Sequence, residues 1–354
     1  MKIVVVGRGI AGLASAYYIK KVLPEAELTL VGLKGVSGHR ASEVAQGLVC
    51  NKGLLVAFSP LFSEKLASLN AIQRFLDDLE AESGCSILRD FNGVFEPVHE
   101  DYQRRVGRIY KKRYLGLLGT TLAESCDGIG LSYPFDGCFS VPEALAALEK
   151  LLSACAKVLD AEVLSVRSSA NTVKLVDGVE LSFDKLVLAA GSANDELMKR
   201  SQLPFPILRK VAGQTLEMSF SKESKFMPQT SGLFSIVSNR SSARVGATSL
   251  KKDYLDAGDL VEGREQLLSK LESFHIKHLE KPIGFIDWWG IRSLTKDRMP
   301  YFGQIPDTDI QTLGGLYKSG WQLAPTMAKN LAFALKTGDP LQNHPFSIRR
   351  LVKN

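Results

Sequence analysis

The stretch that most restricts what this chain can become is its first dozen residues. Lys2-Ile3-Val4-Val5-Val6 is followed at once by Gly7-Arg8-Gly9-Ile10-Ala11-Gly12. A continuous apolar run that ends in glycine predicts a buried strand. Helical periodicity from Leu13 to Val22, closed by Pro24 and followed by a second strand-like run from Glu27 to Val31, makes the opening a βαβ unit. Glycines at 7, 9 and 12 serve such a turn in distinct ways. They bend it tightly, admit a pyrophosphate against backbone N–H groups at the helix start, and let helix pack on strand. A signal peptide competes for the same stretch, through Lys2, the apolar run and the small residues Ala14 to Ala16, but Arg8 and the glycines interrupt it. The opening therefore reads as a dinucleotide site, and no other run is long and apolar enough to span a bilayer.

The remainder suits a large globular α/β chain. With 354 residues, 45% hydrophobic and 23% charged, it can bury a sizeable core, which excludes disorder and small stapled folds. A net charge of +6 permits a polyanionic partner without requiring one. Cys50, Cys85, Cys126, Cys138 and Cys155 form no CxxC pair, which argues against a disulfide framework and a cysteine-bound zinc and places the chain in a reducing cytoplasm. His275 and His278 lie about one helical turn apart with no third ligand at metal spacing, so no metal site is expected.

Leu66, Leu69, Ile72, Phe75, Leu76 and Leu79 recur at helical spacing and predict a helix packed on the opening sheet. Ser140-Val141-Pro142-Glu143 has the form of a capping box with proline in the first turn. It opens a helix with Leu145, Leu148, Leu152, Cys155 and Leu159 on its apolar face, which predicts a buried, inert Cys155. Asp177-Gly178 marks a hairpin, Lys185 to Ala190 a buried strand ending at Gly191, and further helices are expected around 260–279 and 325–336. Dinucleotide-type elements at both ends and in the middle, with strand-rich stretches between them, imply two interleaved domains rather than two in series. A basic amphipathic segment carries Arg104, Arg105, Arg108, Lys111 and Lys112 on one side, and a solvated face is preferred there to a phosphate grip.

The second strand should end in a carboxylate for the adenosine ribose, yet it runs Leu30-Val31-Gly32-Leu33-Lys34. Two readings stay open on these residues alone. Lys34, Ser37, His39 and Arg40 could surround the 2′-phosphate of NADP, or a flavin dinucleotide could have its ribose held by backbone and water.

Five motifs fall in register over most of the chain. They are Gly7 to Gly12; Ala41-Ser42-Glu43-Val44-Ala45-Gln46-Gly47-Leu48; Leu188-Ala189-Ala190-Gly191; Trp289-Gly290-Ile291-Arg292 with Asp297, Pro300 and Gly303; and Gly320-Trp321-Gln322-Leu323-Ala324-Pro325. In this order they resemble FAD-dependent oxidoreductases of the D-amino-acid oxidase type. Within that type they are most similar to glycine oxidases and to the oxidase domain of the bacterial enzyme that makes 5-methylaminomethyl-2-thiouridine in tRNA.

The resemblance implies an α/β fold: an interrupted FAD-binding Rossmann-like domain (1–75, 140–200 and 288–354) and an antiparallel-sheet substrate domain (76–139 and 201–287). It implies non-covalent FAD, since related enzymes with a histidyl link carry the histidine where this chain has Val44. Cofactor contacts are implied at Gly7, Gly9, Ile10, Ala11, Gly12, Arg40, Ala41, Ser42, Gln46, Gly47, Leu48, Val163, Ala190, Gly191, Gly320, Trp321, Gln322 and Leu323. Backbone N–H groups from Gly320 onward would meet the pyrimidine edge of the flavin, with Pro325 in the first turn of the following helix.

Arg292 matches the arginine that pairs with the substrate carboxylate, a task suited to its planar fork, whereas an ion pair with Asp297 is the plain structural alternative. Lys318 matches a second cation over the ring, and Ser235 stands where glycine oxidases hold the carboxylate with a tyrosine, which counts against glycine itself. Trp288 and Trp289 either wall the pocket or fill core.

The implied reaction is oxidation of the C–N bond of an amino acid or N-substituted glycine to an imine, with hydride passing to flavin N5 and hydrolysis following. The implied partner is a small amine with a carboxylate, with no membrane and no expectation for oligomeric state. The oxidase step of tRNA wobble-uridine modification, removing a carboxymethyl group, ranks second, and a non-catalytic dinucleotide-binding relative third.

Overall fold

The structure, a computed structural model, describes residues 1–34, 40–50, 60–97, 121–125, 128–223, 228–231, 234–271, 274, 276 and 279–352. Among these residues the helices are α1 (Ile10–Val22), α2 (Pro60–Ser83), α3 (Val141–Cys155), α4 (Asn194–Arg200), α5 (Ala257–Leu271) and α6 (Gly320–Thr337). None is long and apolar enough to cross a membrane.

The opening run forms the strand Lys2–Val6 at the heart of a six-stranded sheet in the order Tyr301–Gln304, Ile310–Gly314, Lys185–Leu188, Lys2–Val6, Glu27–Val31 and Lys157–Leu159. All neighbours run parallel except the first pair. Because both faces are covered, strand residues 3 to 6 are all buried. Ile3 and Val5 point into a cluster with α1, α2, α3 and α6, through Leu13, Phe75, Leu148 and Leu331. Val4 and Val6 point the other way, onto a cluster with Val163, Val173, Phe183, Leu197 and Met198. That second layer is the small sheet Val163–Arg167, Thr172–Leu175 and Glu180–Ser182 together with α4.

The other large sheet has eight strands, in the order Gly284–Leu294, Arg209–Ser219, Ser242–Gly246, Phe234–Asn239, Gln229–Ser231, Val94–Pro97, Gly128–Tyr133 and Thr121–Ser125. It is antiparallel apart from one parallel contact between Gln229 and Phe95. Leu267 of α5 packs into its core with Leu216, Ile236 and Val245. Strands of this sheet fall in sequence between those of the parallel sheet, so the expected combination of a Rossmann-like parallel sheet with a second antiparallel sheet is what the chain builds.

Local expectations fare unevenly. The hairpin at Asp177-Gly178 forms, with Gly178 at φ +91°. Ser140 caps α3 by position and Pro142 enters its first turn, but the capping box does not close, because Glu143 instead accepts the Leu88 backbone N–H at 2.6 Å. Cys155 is exposed rather than buried: it ends α3 as the chain leaves for the strand Lys157–Leu159. Leu66 is likewise exposed, although Leu61 before it and Leu69 after it on α2 pack against the core. The helix expected over 260–279 is α5, which starts earlier and ends at Leu271. The last helix begins at Gly320, so Pro325 sits inside α6 and not in its first turn. The basic segment 102–113, His275 and His278 lie outside the described residues.

Candidate functional site

The fingerprint turn is built as the glycines require. A Cβ on Gly12 would lie 1.8 Å from the Gly7 carbonyl oxygen, and one on Gly7, at φ +114°, 2.2 Å from the Ala189 carbonyl oxygen. The first contact presses α1 onto the turn, and the second seats the turn against Ala189-Ala190 after the neighbouring strand. There Asn194 Oδ1 accepts from Ala190 N–H at 3.0 Å, and its amide bonds Tyr301 and Thr312. Gly191 follows at φ +61°. Gly9 has open space except for Ser42 Oγ, which is also the acceptor for the Ile10 N–H at 2.9 Å.

The segment from Arg40 to Leu48 crosses from this turn to the antiparallel sheet. Arg40 bridges Ile291, and a Cβ on Gly290 would lie 3.1 Å from Ala41 Cα, so glycine is needed where the segment passes over that strand. Arg244 donates to the Glu43 and Ala45 carbonyls, while Gln46 donates to the Ser235 and Arg244 carbonyls and accepts from Ser235 Oγ at 2.6 Å. Ser235 is thus tied to the segment as a clamp. Trp288 donates to Glu217, which also pairs with Arg244, so this tryptophan supports the clamp. Trp321 of α6 donates to the Ser42 carbonyl at 2.9 Å and packs edge-on to Phe139, and Gln322 donates to the Lys65 carbonyl. A Cβ on Gly320 would meet Ile10 Cγ2 at 3.6 Å, so α1 and α6 begin side by side. Two helix N-termini therefore flank one crevice at the carboxyl ends of the parallel strands, an arrangement that favours anionic groups.

The cations lie next to the point where Arg40 bridges Ile291. Arg292 stands on the strand Gly284–Leu294, its guanidinium laid over Gly213 so closely that a Cβ there would come within 2.3 Å of Nη1 and Nη2. Among the described residues its Nη1 donates to the Thr248 carbonyl at 3.2 Å, and burial pushes its pKa down while Tyr317 nearby opposes that shift. No carboxylate pairs with it among the described residues. Asp297 is engaged elsewhere, with Arg350 at 2.8 Å and with Thr295. Lys318 follows a tight turn with Gly315 at φ +67° and Tyr317 at φ +46°, and directly precedes α6. Its ammonium is pushed down to about 8, first by burial and then by the like charges of Arg292 and Arg298. The turn thus places Arg292, Tyr317 and Lys318 in one neighbourhood, facing the segment that Gly290 lets pass.

Of the residues read from the sequence, the fingerprint turn, the Arg40 to Leu48 segment and the start of α6 are brought together through Ser42, which contacts Ile10 and Trp321, whereas Val163 sits in the apolar cluster beneath the parallel sheet. A polar recess lined by Ser168, Arg200, Gln202 and Asp307 shares none of the crevice residues and adjoins the amino end of the strand Ile310–Gly314, so we assign it no part in the chemistry. Sequence reasoning missed Gly213, Tyr317, Arg8 and Glu149. A glycine opposite another glycine in a long strand pair, Gly213 on Gly290, was the available signal for the close approach. A charged residue between the fingerprint glycines was the signal for Arg8.

A glycine-lined turn with two helix starts, and buried Arg8 and Arg40 Nε atoms that lack an acceptor among the described residues, fits a dinucleotide with a pyrophosphate and polar groups to offer. This is the architecture of a dinucleotide-dependent oxidoreductase, and residues 2–334 match the model of the FAD dependent oxidoreductase (DAO) family. The chain belongs to that family. It is 26% identical to a glycine oxidase of Pseudomonas aeruginosa over 373 residues, covering 96% of each chain. The glycine oxidase of Geobacillus kaustophilus has the same fold, with a TM-score of 0.80 at 21% identity and 99% coverage of both chains. So does iminodiacetate oxidase from Chelativorans sp. BNC1, with a TM-score of 0.78 at 16% identity and coverage of 98% of this chain and 99% of that one.

Proposed function

We propose that this FAD-dependent oxidoreductase oxidises the C–N bond of a small amine that carries a carboxylate, an amino acid or an N-substituted glycine, to an imine that water then hydrolyses. The observation that carries this reading is Arg292. Its guanidinium is drawn in over Gly213, lacks a carboxylate partner among the described residues, and stands beside a second cation, Lys318. Drawing a charge inward without a counter-ion is costly unless a ligand supplies one, and a carboxylate matches the planar fork. The likeness to a glycine oxidase and to the iminodiacetate oxidase fold, whose names both point to carboxylated amines, supports the same substrate class.

Gly7, Gly9, Ile10, Ala11 and Gly12 would hold the pyrophosphate, and Ala41, Ser42, Gln46, Gly47 and Leu48 with Gly320, Trp321, Gln322 and Leu323 the flavin half. FAD, when bound, supplies the acceptor for the hydride and its electron pair. Arg292 grips the carboxylate and so fixes which way the α C–H points. The positive charges of Arg292 and Lys318 also disfavour the ammonium form of a bound substrate, which shifts it toward the neutral amine whose lone pair becomes the imine bond.

Arg292→Met tests this. Truncating one partner of a buried charge pair costs ~2–5 kcal/mol, which corresponds to a rate loss on the order of 10² or more. Anaerobic flavin reduction by carboxylated amines should slow by that factor at unchanged FAD content, and Arg292→Lys should recover only part of it. Unchanged reduction kinetics in the Met variant would remove the carboxylate from the reading.

A further inference from the structure

The end of the second parallel strand lacks the carboxylate that usually takes the adenosine ribose, and the structure shows what fills its place. A Cβ on Gly32 would lie 3.0 Å from the Arg8 nitrogen and 3.2 Å from Arg8 Cγ, so a side chain at 32 would run into Arg8. Arg8 is only 7% exposed, pairs through Nη2 with Glu149 Oε1 of α3 at 3.2 Å, and leaves its Nε buried with no acceptor among the described residues. Glu149 Oε2 meets Lys34 at 3.3 Å, Lys34 N–H donates to Asp160 Oδ1 at 2.7 Å, and Arg40 Nη1 donates to the Arg8 carbonyl at 3.3 Å. Arg40 is itself paired with Glu43.

We propose that Arg8 and Glu149 together replace the missing carboxylate as the ribose-binding pair of the FAD site. A ribose diol offers both lone pairs and protons. Arg8 Nε is a buried donor that needs an acceptor, and Glu149 is a carboxylate with lone pairs to spare beyond its two cations. The pair therefore meets both needs of a vicinal diol, where a lone strand-end carboxylate meets one. Arg8 and Lys34 share Glu149, Arg40 pairs with Glu43, and the Asp160 carboxylate adds a third negative charge nearby, so the cluster holds too little spare positive charge to demand an additional phosphate. This inference concerns the cofactor alone and stands or falls apart from the amine substrate.

The test is FAD release from the holoprotein, followed by the flavin fluorescence regained in solution, with thermal unfolding measured alongside. Arg8→Lys keeps a cation for Glu149 but deletes Nε. It should release FAD roughly tenfold to a hundredfold faster, as expected for a lost hydrogen bond from a charged donor, with little change in the Tm of the FAD-free protein. Gly32→Glu alone should also lose FAD, because Arg8 occupies its space. Gly32→Glu combined with Arg8→Ala, which clears that space for a strand-end carboxylate, should regain FAD relative to Arg8→Ala. If Arg8→Lys and Arg8→Ala lower Tm while FAD release stays at the wild-type rate, the pair is structural only and the proposal fails. It fails equally if 2′,5′-ADP displaces FAD better than 5′-ADP does, since the cations would then serve a 2′-phosphate.

Discussion

Two groups of buried or half-buried arginines, one at the fingerprint turn and one on the antiparallel sheet, are treated in opposite ways. At the fingerprint end Arg8, Lys34 and Arg40 each have a carboxylate within reach, from Glu149 and Glu43. At the sheet end neither Arg292 nor Lys318 has one among the described residues, and the two acids five positions away from Arg292 in sequence, Asp287 and Asp297, are committed to Arg264 and Arg350. Charges that are already balanced can position a polar, uncharged group without attracting free anions. Charges left unbalanced hold a site open for an anion. On the reading proposed above, the difference would separate a place for the sugar of a cofactor from a place for the acid of a substrate, although arginine would serve both.

The largest expected effect breaks the first end outright. Gly12→Val would drive a side chain into the Gly7 carbonyl, so the protein should purify colourless, which absorbance in the flavin band checks directly. A Gly12→Val protein that stays yellow would mean that the turn does not seat the cofactor.

Next in size is a change that leaves both arginines in place and moves only the unbalanced one. Gly213→Ala sets a methyl group within 2.3 Å of the Arg292 guanidinium, which must then leave its position over the strand. FAD content should hold, while flavin reduction by a carboxylated amine should fall on the order of tenfold to a hundredfold, in the manner of the Arg292 variants. Equal loss of FAD would show that the two ends are not separable.

The smallest effect sharpens the comparison through pH. Lys318 has its pKa lowered to about 8, so it is cationic below that value and neutral above it. Attraction for a carboxylate is therefore present at lower pH and fades as pH rises through 8, and KM for the substrate should climb several-fold there. Stability of the substrate-free chain runs the other way, since the unfolded lysine keeps its proton to higher pH and folding gains as pH rises above 8. Lys318→Met should flatten the KM profile in that window, and a profile that keeps its rise would assign the titration to another group.

Much of this was legible in the sequence, for local reasons. KIVVV bounded by glycine had to be a buried strand, and Gly7, Gly9 and Gly12 announced a turn that the structure shows to be sterically obligatory at Gly7 and Gly12. Arg292 and Lys318 were readable because their motifs resemble those of a family. The errors are equally local in origin. Spacing placed Cys155 and Leu66 on apolar faces, but whether a face is covered at its end depends on a neighbour that periodicity does not see. Ser140 and Glu143 have the spacing of a capping box, yet Glu143 bonds Leu88, a partner brought from elsewhere in the chain.

By itself, then, the sequence determined the parallel core and its glycine turn, because strand burial and backbone clearance are set by residues within a few positions of one another. Only the tertiary structure decided which charges are balanced. Glu149 reaches Arg8 from 141 positions away, Arg292 lies over Gly213 from a paired strand, and Asp297 is withdrawn by Arg350. Electrostatic pairing depends on distance in space, and no pattern along the chain carries that distance.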